Sequence, residues 1–393
     1  MKANFDLYFD PEQIALRKEV QRVVKKEFTP ELMREIDQDP EHKFPYIICE
    51  KLKQLDLSAC GIPEEYGGTA MSYRSLFVAY EELAKASPAI CFISGLMGPW
   101  GSWPIALHGS DLLKDMFLHK IAKGELLFSV AMTEQSGGSD LVNNIQTTAR
   151  EEGDYYVLEG EKMFITGAHV ADYITVLAVT DPDAEQNVER FSLFIVDAKN
   201  CDGIDISPIK KIAIKSVGTN ILKFNNVKVP KEMMIGDRGK GYFYLLPLMA
   251  GHKMLAAADA IGVAEAAYEE AAEYAKKRTA FGRPIGQFQL NQLKLVDMET
   301  EIRAAKHLGY HAAYLADKGK SWMMEALVAE RFASDIGFKT ATNAMSMFGG
   351  YGLTEDYNLE RYFRDSRQFI TTPFTNEIAI TQIAAILGFP KSY

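Results

Sequence analysis

The sequence predicts an α+β protein in which a β domain lies between two helical domains. Apolar residues recur at helical spacing in the first third of the chain, short β-branched and aromatic runs fill the middle, and long Ala-rich stretches with Glu and Lys fill the last part. This order predicts a helical domain over residues 1–125, a β domain over 126–238 and a helical bundle over 239–393.

The N-terminal domain contains three helix patterns. Apolar residues in 11–27 form a stripe with a period of about 3.6 residues, and 73–85 and 111–123 show the same spacing. The segment 62–68, which contains Pro and two Gly residues, separates the first pattern from the others. We therefore expect several helices joined by turns.

The middle domain contains short runs that are typical of strands. They are rich in Val, Ile, Leu, Phe and Tyr, and turn residues such as Gly153 and Asp154 bound them. The runs are 155–158, 173–179, 191–196 and 221–224. Several short strands at this spacing predict a small β-barrel or sandwich.

Longer helices return after residue 240. The stretch 254–277 is strongly helix-forming, and further helices fit 288–318, 320–347 and 375–387. Helices of this length in succession predict a bundle packed beside the β domain.

The bulk composition argues against several classes of protein. A formal net charge of −10 disfavours a nucleic-acid or anionic-membrane surface, because both reward basic faces. We expect no membrane span and no secretory signal, and therefore a cytoplasmic protein. The four cysteines are scattered and the 7 histidines form no cluster, so we expect free thiols and no metal site.

One glycine-rich segment, residues 133–140, has groups suited to binding phosphate. Gly137 and Gly138 allow close approach of backbone N–H groups, and Thr133 and Ser139 offer hydroxyls. Such a segment alone is more often a plain turn. The run 161–166 downstream carries an aromatic and a hydroxyl side chain that could flank a flat ring, although an ordinary strand explains it equally well.

Two further segments extend this pattern. Residues 277–282 are followed by Gln287 and Gln289, and 348–352 are followed by Arg364 and Asp365. In this order and over nearly the whole chain, the segments resemble the signature of the acyl-CoA dehydrogenase family. The resemblance implies an N-terminal helical domain, a middle β-barrel domain, a C-terminal four-helix bundle and a homotetramer.

The same resemblance implies FAD as the cofactor and an acyl-CoA thioester as the substrate, with an electron-transfer flavoprotein as partner. The implied contacts of the cofactor are Met132, Thr133, Gly138, Ser139, Phe164, Thr166 and Thr375, with Arg278, Phe281, Gln289 and Gly350 supplied by a neighbouring subunit. The implied contacts of the substrate are Ser139, Lys253 and Thr372.

The chain departs from the family where the chemistry takes place. Counted from Arg364 and Asp365, the position of the family's catalytic glutamate is Pro373. Proline has neither a carboxylate nor a backbone N–H, so the position can neither remove a proton nor donate to the thioester carbonyl. Loss of a comparable donor in other enzymes costs about 2.7–4 kcal/mol of transition-state stabilisation.

Other positions could supply the missing proton acceptor. Some members of the family carry the glutamate on a helix, at the position that matches His252, and an imidazole can accept a proton near neutral pH. A helix-start histidine with no role is the alternative. Glu377 is nearer in sequence but about one helical turn away. Cyclic acyl-CoA dehydrogenases use an aspartate over the acyl pocket, yet 91–103 contains no acid.

The aromatic residues of 91–103 suggest a pocket for a bulky or flat acyl group, although core packing explains them equally well. The leading hypothesis is therefore an FAD-dependent acyl-CoA oxidoreductase with a non-standard proton acceptor, acting on an unusual acyl-CoA or as an enoyl-CoA reductase. The alternatives are a desulfinase-type acyl-CoA lyase that keeps FAD, and a non-catalytic subunit of a flavoprotein assembly.

Overall fold

The computed structural model describes residues 5–41, 43–70 and 72–390. Helices fill the first part of the chain, strands the middle and helices the last part, which confirms the α+β organisation. The predicted boundaries at 125/126 and 238/239 fall in connections, between a helix that ends at Ala122 and a strand that begins at Phe128, and between Ile235 and a helix that begins at Gly241.

Seven helices form the N-terminal part of the described chain. They are α1 (Pro11–Glu27), α2 (Pro30–Gln38), α3 (Tyr46–Leu52), α4 (Tyr73–Ala86), α5 (Pro88–Met97), α6 (Pro99–His108) and α7 (Asp111–Ala122). Hydroxyl side chains begin several of them, since Ser72, Ser87 and Ser110 each accept a hydrogen bond from a first-turn backbone N–H. All three helix patterns predicted in this region are confirmed.

One stretch, residues 88–108, has the length and composition of a membrane-crossing helix. In the structure the stretch is broken at Gly98 into α5 and α6, and 78% of its most apolar window is buried inside the fold. Its apolar character therefore serves the interior of the N-terminal domain and, as shown below, one wall of a cavity.

The middle part forms one sheet. Its strands are β1 (Phe128–Ala131), β2 (Thr148–Glu152), β3 (Tyr155–Thr166), β4 (Tyr173–Val179), β5 (Phe191–Asp197), β6 (Ile204–Ile209), β7 (Thr219–Pro230) and β8 (Met234–Ile235), with a short helix α8 (Leu141–Asn144) after β1. The strands pair in the order β6-β7-β3-β2-β4-β5-β8, and β1 adds to β4 in parallel. Within the described residues this path leaves two edges and does not close.

The last part contains five helices and a small hairpin. They are α9 (Gly241–Lys277), β9 (Thr279–Ala280), β10 (Arg283–Pro284), α10 (Gln289–Asp317), α11 (Met323–Phe348), α12 (Leu359–Ser366) and α13 (Asn376–Ile386). The 37-residue α9 is the centre of the molecule, because it packs against α10 and α11 of the bundle and against α4 of the N-terminal part.

Candidate active site

A cavity of about 470 Å³ opens where α5, α6, the sheet, α9 and the segment before α13 meet. Nine residues predicted to bind cofactor or substrate, or to act as the base, lie in its wall. They are Met132, Thr133, Gly138, Ser139, Phe164, Thr166, His252, Thr372 and Thr375. The structure therefore brings together residues that are separated by up to 243 positions in the sequence.

The loop that carries Met132 to Ser139 is fixed by a buried ion pair. The Lys162 ammonium, which has no exposed surface, donates to the Met132 carbonyl and to Glu134 Oε1, both at 2.9 Å. Glu134 also accepts from the backbone N–H groups of Gln146 (2.7 Å) and Thr147 (3.0 Å). Every charge in this cluster has close partners, so the loop is held rigidly on β3.

Phe164 reaches the cavity through an irregularity in β3. The register between β3 and β7 shifts between Lys162 and Ile165, and Phe164 between them has a positive φ of 62°. A left-handed phenylalanine is uncommon, and such a residue keeps this conformation only where its surroundings enforce it. Its ring is 60% exposed and lies in the cavity wall, as does Thr166. This arrangement suits one side of a flat heteroaromatic group.

Pro373 lies in the wall of the same cavity, with Thr371, Thr372, Phe374 and Thr375 around it. Thr375 caps α13, because its hydroxyl accepts from the Ile378 N–H at 3.4 Å. Glu377 follows in the first turn of α13, exposed and outside the cavity wall. The segment that carries the glutamate in the family therefore reaches the site here without a carboxylate.

His252 lies on α9 in the cavity wall and is half-buried. Its ring is 5.6 Å from that of Trp100 and 6.5 Å from that of Trp103, centre to centre. The adjacent Gly251 makes this approach possible, since a Cβ there would meet the Trp103 ring at 2.4 Å. Burial lowers the pKa of His252 to about 4, so the imidazole is neutral at physiological pH. A neutral imidazole can accept a proton.

Lys253 does not contribute to the cavity wall. Its ammonium lies 3.8 Å from Glu330 Oε2 on α11 and 4.6 Å from the centre of the Phe374 ring. Phe374 lines the cavity and separates Lys253 from it. Burial lowers the pKa of Lys253 and raises that of Glu330 to about 7. The substrate contact predicted for Lys253 is therefore replaced in this structure by an ion pair behind the wall.

A carboxyl that sequence reasoning missed also lines the cavity. Asp259, two turns after His252 on α9, is 5% exposed, and its Oδ1 has no hydrogen-bond partner among the described residues. The Cys91 thiol makes a hydrogen-bonding contact with it. The sequence does contain a signal for it, because Asp259 is the single charged residue in 254–264, a stretch that is otherwise uncharged.

Four residues of 91–103 that could line an acyl pocket, three aromatic residues and one methionine, divide into two groups. Phe92 and Trp100 line the cavity with rings 6.3 Å apart in an edge-to-face arrangement. Met97 and Trp103 are buried in the core outside the cavity wall, and Trp103 donates to the Cys60 carbonyl at 3.2 Å. Two of the four residues suggested for an acyl pocket, Phe92 and Trp100, therefore line the cavity.

Two of the four remaining predicted cofactor contacts lie at a second, more open depression that shares no lining residue with the cavity. Arg278 and Gly350 line it, and the Arg278 guanidinium lies 5.8 Å from the centre of the Tyr351 ring. Phe281, 96% exposed, and Gln289, exposed at the start of α10, are outside its wall. Gly349 and Gly350 leave open space for a ligand, which fits a backbone cradle.

Comparisons with known proteins agree with this geometry. Three family models match the chain: acyl-CoA dehydrogenase N-terminal domain (10–125), middle domain (129–227) and C-terminal domain (239–388). A 3-(aryl)acrylate reductase from Clostridium sporogenes is 36% identical over 97% of this chain and 100% of its own. The subunit CarC of the caffeyl-CoA reductase-Etf complex from Acetobacterium woodii is 32% identical, covering 97% and 99%. The structure of butyryl-CoA dehydrogenase from Megasphaera elsdenii superposes with a TM-score of 0.90 at 31% identity, covering 98% and 100%.

Proposed function

The chain belongs to the acyl-CoA dehydrogenase family of FAD-dependent oxidoreductases, and from this premise we propose that it interconverts an arylacryloyl-CoA and the corresponding arylpropionyl-CoA, working as an enoyl-CoA reductase. The observation that carries the proposal is the cavity wall. There, the rings of Phe92 and Trp100 line the cavity, and His252 lies in the same wall as Pro373, which brings no carboxylate to it. Reductases of aryl substrates among the relatives support the same direction.

The cavity residues fit a flavin and a thioester. Phe164 and Thr166 would border the ring system, and Met132, Thr133, Gly138 and Ser139 would hold its edge and the acyl-CoA entrance. Thr375 would contact the cofactor and Thr372 the substrate. The bound cofactor supplies or accepts a hydride at the acyl Cβ. Lys162 and Glu134 keep the loop in place for this contact.

In this proposal His252 removes the proton at the acyl Cα in the dehydrogenation direction, and in the reduction direction it takes a proton from solvent and delivers it to Cα. It is the titratable nitrogen that lines the cavity, and the described wall contains no lysine or arginine. Asp259, the carboxyl of that wall, lies two helical turns away from His252. The lack of a cation also removes support for a desulfinase-type lyase, whose anionic leaving group would require one.

The oligomer and the electron partner are part of the same proposal. Leu290, Leu293 and Val296 on α10 are 57–76% exposed, as expected of a face covered by another copy of the chain. In a homotetramer the depression at Arg278 and Gly350 would hold the adenosine end of the FAD of a neighbouring subunit. An electron-transfer flavoprotein in the cytoplasm would supply electrons, as the name of the CarC complex indicates for that relative.

Replacement of His252 tests the proposal. We expect His252→Gln to lower the rate of anaerobic flavin reoxidation by cinnamoyl-CoA about 10²- to 10⁴-fold, the usual contribution of a positioned acid or base. In the dehydrogenation direction, kcat/KM should be flat from pH 5 to 8 and fall as the pH drops through about 4.

Glu377→Gln is the matched control, because Glu377 is exposed and outside the cavity wall. This variant should keep the wild-type rate. Wild-type turnover in His252→Gln with full FAD content would eliminate His252 as the proton-transferring group. No reduction of any arylacryloyl-CoA by the wild type would eliminate the reaction itself.

A further inference from the structure

The far end of the cavity contains a polar group that an ordinary acyl pocket has no use for. Asp259 is 5% exposed, and its Oδ1 has no hydrogen-bond partner among the described residues, although it faces the cavity. An unsatisfied buried carboxyl costs about 1–3 kcal/mol or more. A ligand that supplies a hydrogen bond there would remove this cost.

The position of Asp259 relative to His252 fixes where such a ligand group must lie. The two residues are seven positions apart on α9, which is about two turns and roughly 10.5 Å along the helix, on nearly the same face. A three-carbon acyl chain that ends in a six-membered ring with a para substituent, plus one hydrogen bond of about 2.7 Å, covers that distance. The Asp259 carboxyl therefore meets the tip of such an acyl group.

The surroundings of Asp259 indicate a neutral ligand group. Burial raises the pKa of Asp259 well above its usual range and therefore favours its neutral carboxyl, which can both donate and accept a hydrogen bond. The Cys91 thiol is shared between Asp259 and the Tyr80 carbonyl, the latter at 3.4 Å. Phe92 and Trp100 form an aromatic wall nearby. Trp100 lies against Gly95, where a Cβ would meet its indole at 2.6 Å.

We propose that Asp259 binds a hydroxyl group on the ring of the acyl substituent, so that the chain prefers hydroxyaryl acyl-CoA thioesters to unsubstituted ones. This inference rests on the proposed function and names its substrate class. The hydroxyl donates to Oδ1, and Asp259 keeps its contact with Cys91. The ring lies between the aromatic wall and α9.

Binding is measured first, on the oxidised FAD-loaded protein without an electron donor, so that an arylacryloyl-CoA binds without being reduced. By calorimetry we expect 4-hydroxycinnamoyl-CoA to bind at least about tenfold more tightly than cinnamoyl-CoA, the equivalent of one good buried hydrogen bond. In Asp259→Leu the preference should fall to within about twofold, because cinnamoyl-CoA loses nothing. Asp259→Asn, which keeps an acceptor, should retain part of the preference.

Three results would overturn the inference. These are equal affinity for the two thioesters in the wild type, an equal loss for both in Asp259→Leu at normal FAD content, and tighter binding of a thioester with an aminomethyl group on the ring. Reduction of both thioesters without discrimination would remove this inference and leave the proposed function standing. If the protein binds the two thioesters with different affinities but its dithionite-reduced form reduces neither, this inference stands and the proposed function fails.

Discussion

The chain buries two lysine–glutamate pairs beside the same cavity, and their surroundings differ. Lys162 and Glu134 lie 2.9 Å apart, and the backbone at 132, 146 and 147 supplies further hydrogen bonds. Lys253 and Glu330 lie 3.8 Å apart, and neither the ammonium nor either carboxylate oxygen has a hydrogen-bond partner among the described residues. The charged groups of the first pair are therefore hydrogen-bonded, whereas those of the second pair are not.

The difference appears in the pKa values. Burial alone would raise the pKa of Glu134, yet Lys162 and the surrounding donors hold it below the usual range. Glu330 has only Lys253 to oppose its burial, and its pKa rises to about 7. The fully hydrogen-bonded pair, Lys162 and Glu134, therefore stays ionised and fixes a loop. The pair of Lys253 and Glu330, which lacks such hydrogen bonds, has a carboxyl that is close to neutral.

Removal of Lys162 is expected to have the largest effect on this comparison. Lys162→Met leaves Glu134 buried without its cation and should lower the free energy of unfolding by about 3–5 kcal/mol. The loop of Met132 to Ser139 would loosen, so FAD content should fall as well. Urea unfolding and the flavin absorbance ratio measure both quantities. The double variant Lys162→Met, Glu134→Gln should recover part of the loss, and a loss below about 1 kcal/mol in the single variant would refute the structural role.

The second pair predicts a dependence on pH. The folded-state pKa of Glu330, about 7, exceeds the roughly 4.3 of an exposed glutamate, so the folded state binds the proton more tightly. Wild-type stability therefore falls as the pH rises from about 4.3 to about 7. Glu330→Gln cannot titrate and should lack this fall, whose slope is up to about 1.4 kcal/mol per pH unit.

Urea midpoints at pH 5 and pH 8 check this expectation. Glu65→Gln, which changes an exposed glutamate, should behave like the wild type. Parallel wild-type and Glu330→Gln curves would show that Lys253 keeps Glu330 ionised throughout, and that the two pairs are alike after all.

The smallest expected effect concerns Phe374. Its ring lies 4.6 Å from the Lys253 ammonium and provides that cation with an aromatic face. Phe374→Leu should cost about 1–2 kcal/mol of stability through the lost cation–π contact and packing, whereas Phe374→Tyr keeps the ring face and should cost less. Thermal unfolding of the two variants measures the contrast. Equal losses would show that the ring contributes bulk and no electrostatic support.

Periodicity predicted the elements well where tertiary context agrees with it. The strand 173–179 has the predicted bounds. Helix α9 begins at Gly241, 13 residues before the predicted 254, because Pro247 and the aromatic residues before it do not show a helical pattern in the sequence. The resemblance named residues that the structure brings together in the cavity wall, because they lie on loops and strand ends with recognisable motifs.

The resemblance could not reveal features that are particular to this chain. The resemblance implied a substrate contact for Lys253, but adjacent residues on a helix point about 100° apart, and Lys253 points away from the face that carries His252. Asp259 shares the face of His252 through the seven-residue spacing. Asp259 was missed because it matches no position at which the family carries its base. The partners of Lys162 come from segments 28 residues earlier, which periodicity does not connect.

Under the roles proposed for His252 and Asp259, α9 would act as a length gauge, because both residues belong to one continuous helix. Ala257, Ala260 and Ile261 between and beyond them are fully buried, so the helix cannot slide or bend without breaking its packing. An acyl group two carbons longer could satisfy the reacting end or the distal carboxyl, but not both at once. The length of the acyl group would then be selected by the distance along α9 between His252 and Asp259, and the cavity would not have to be closed at its far end.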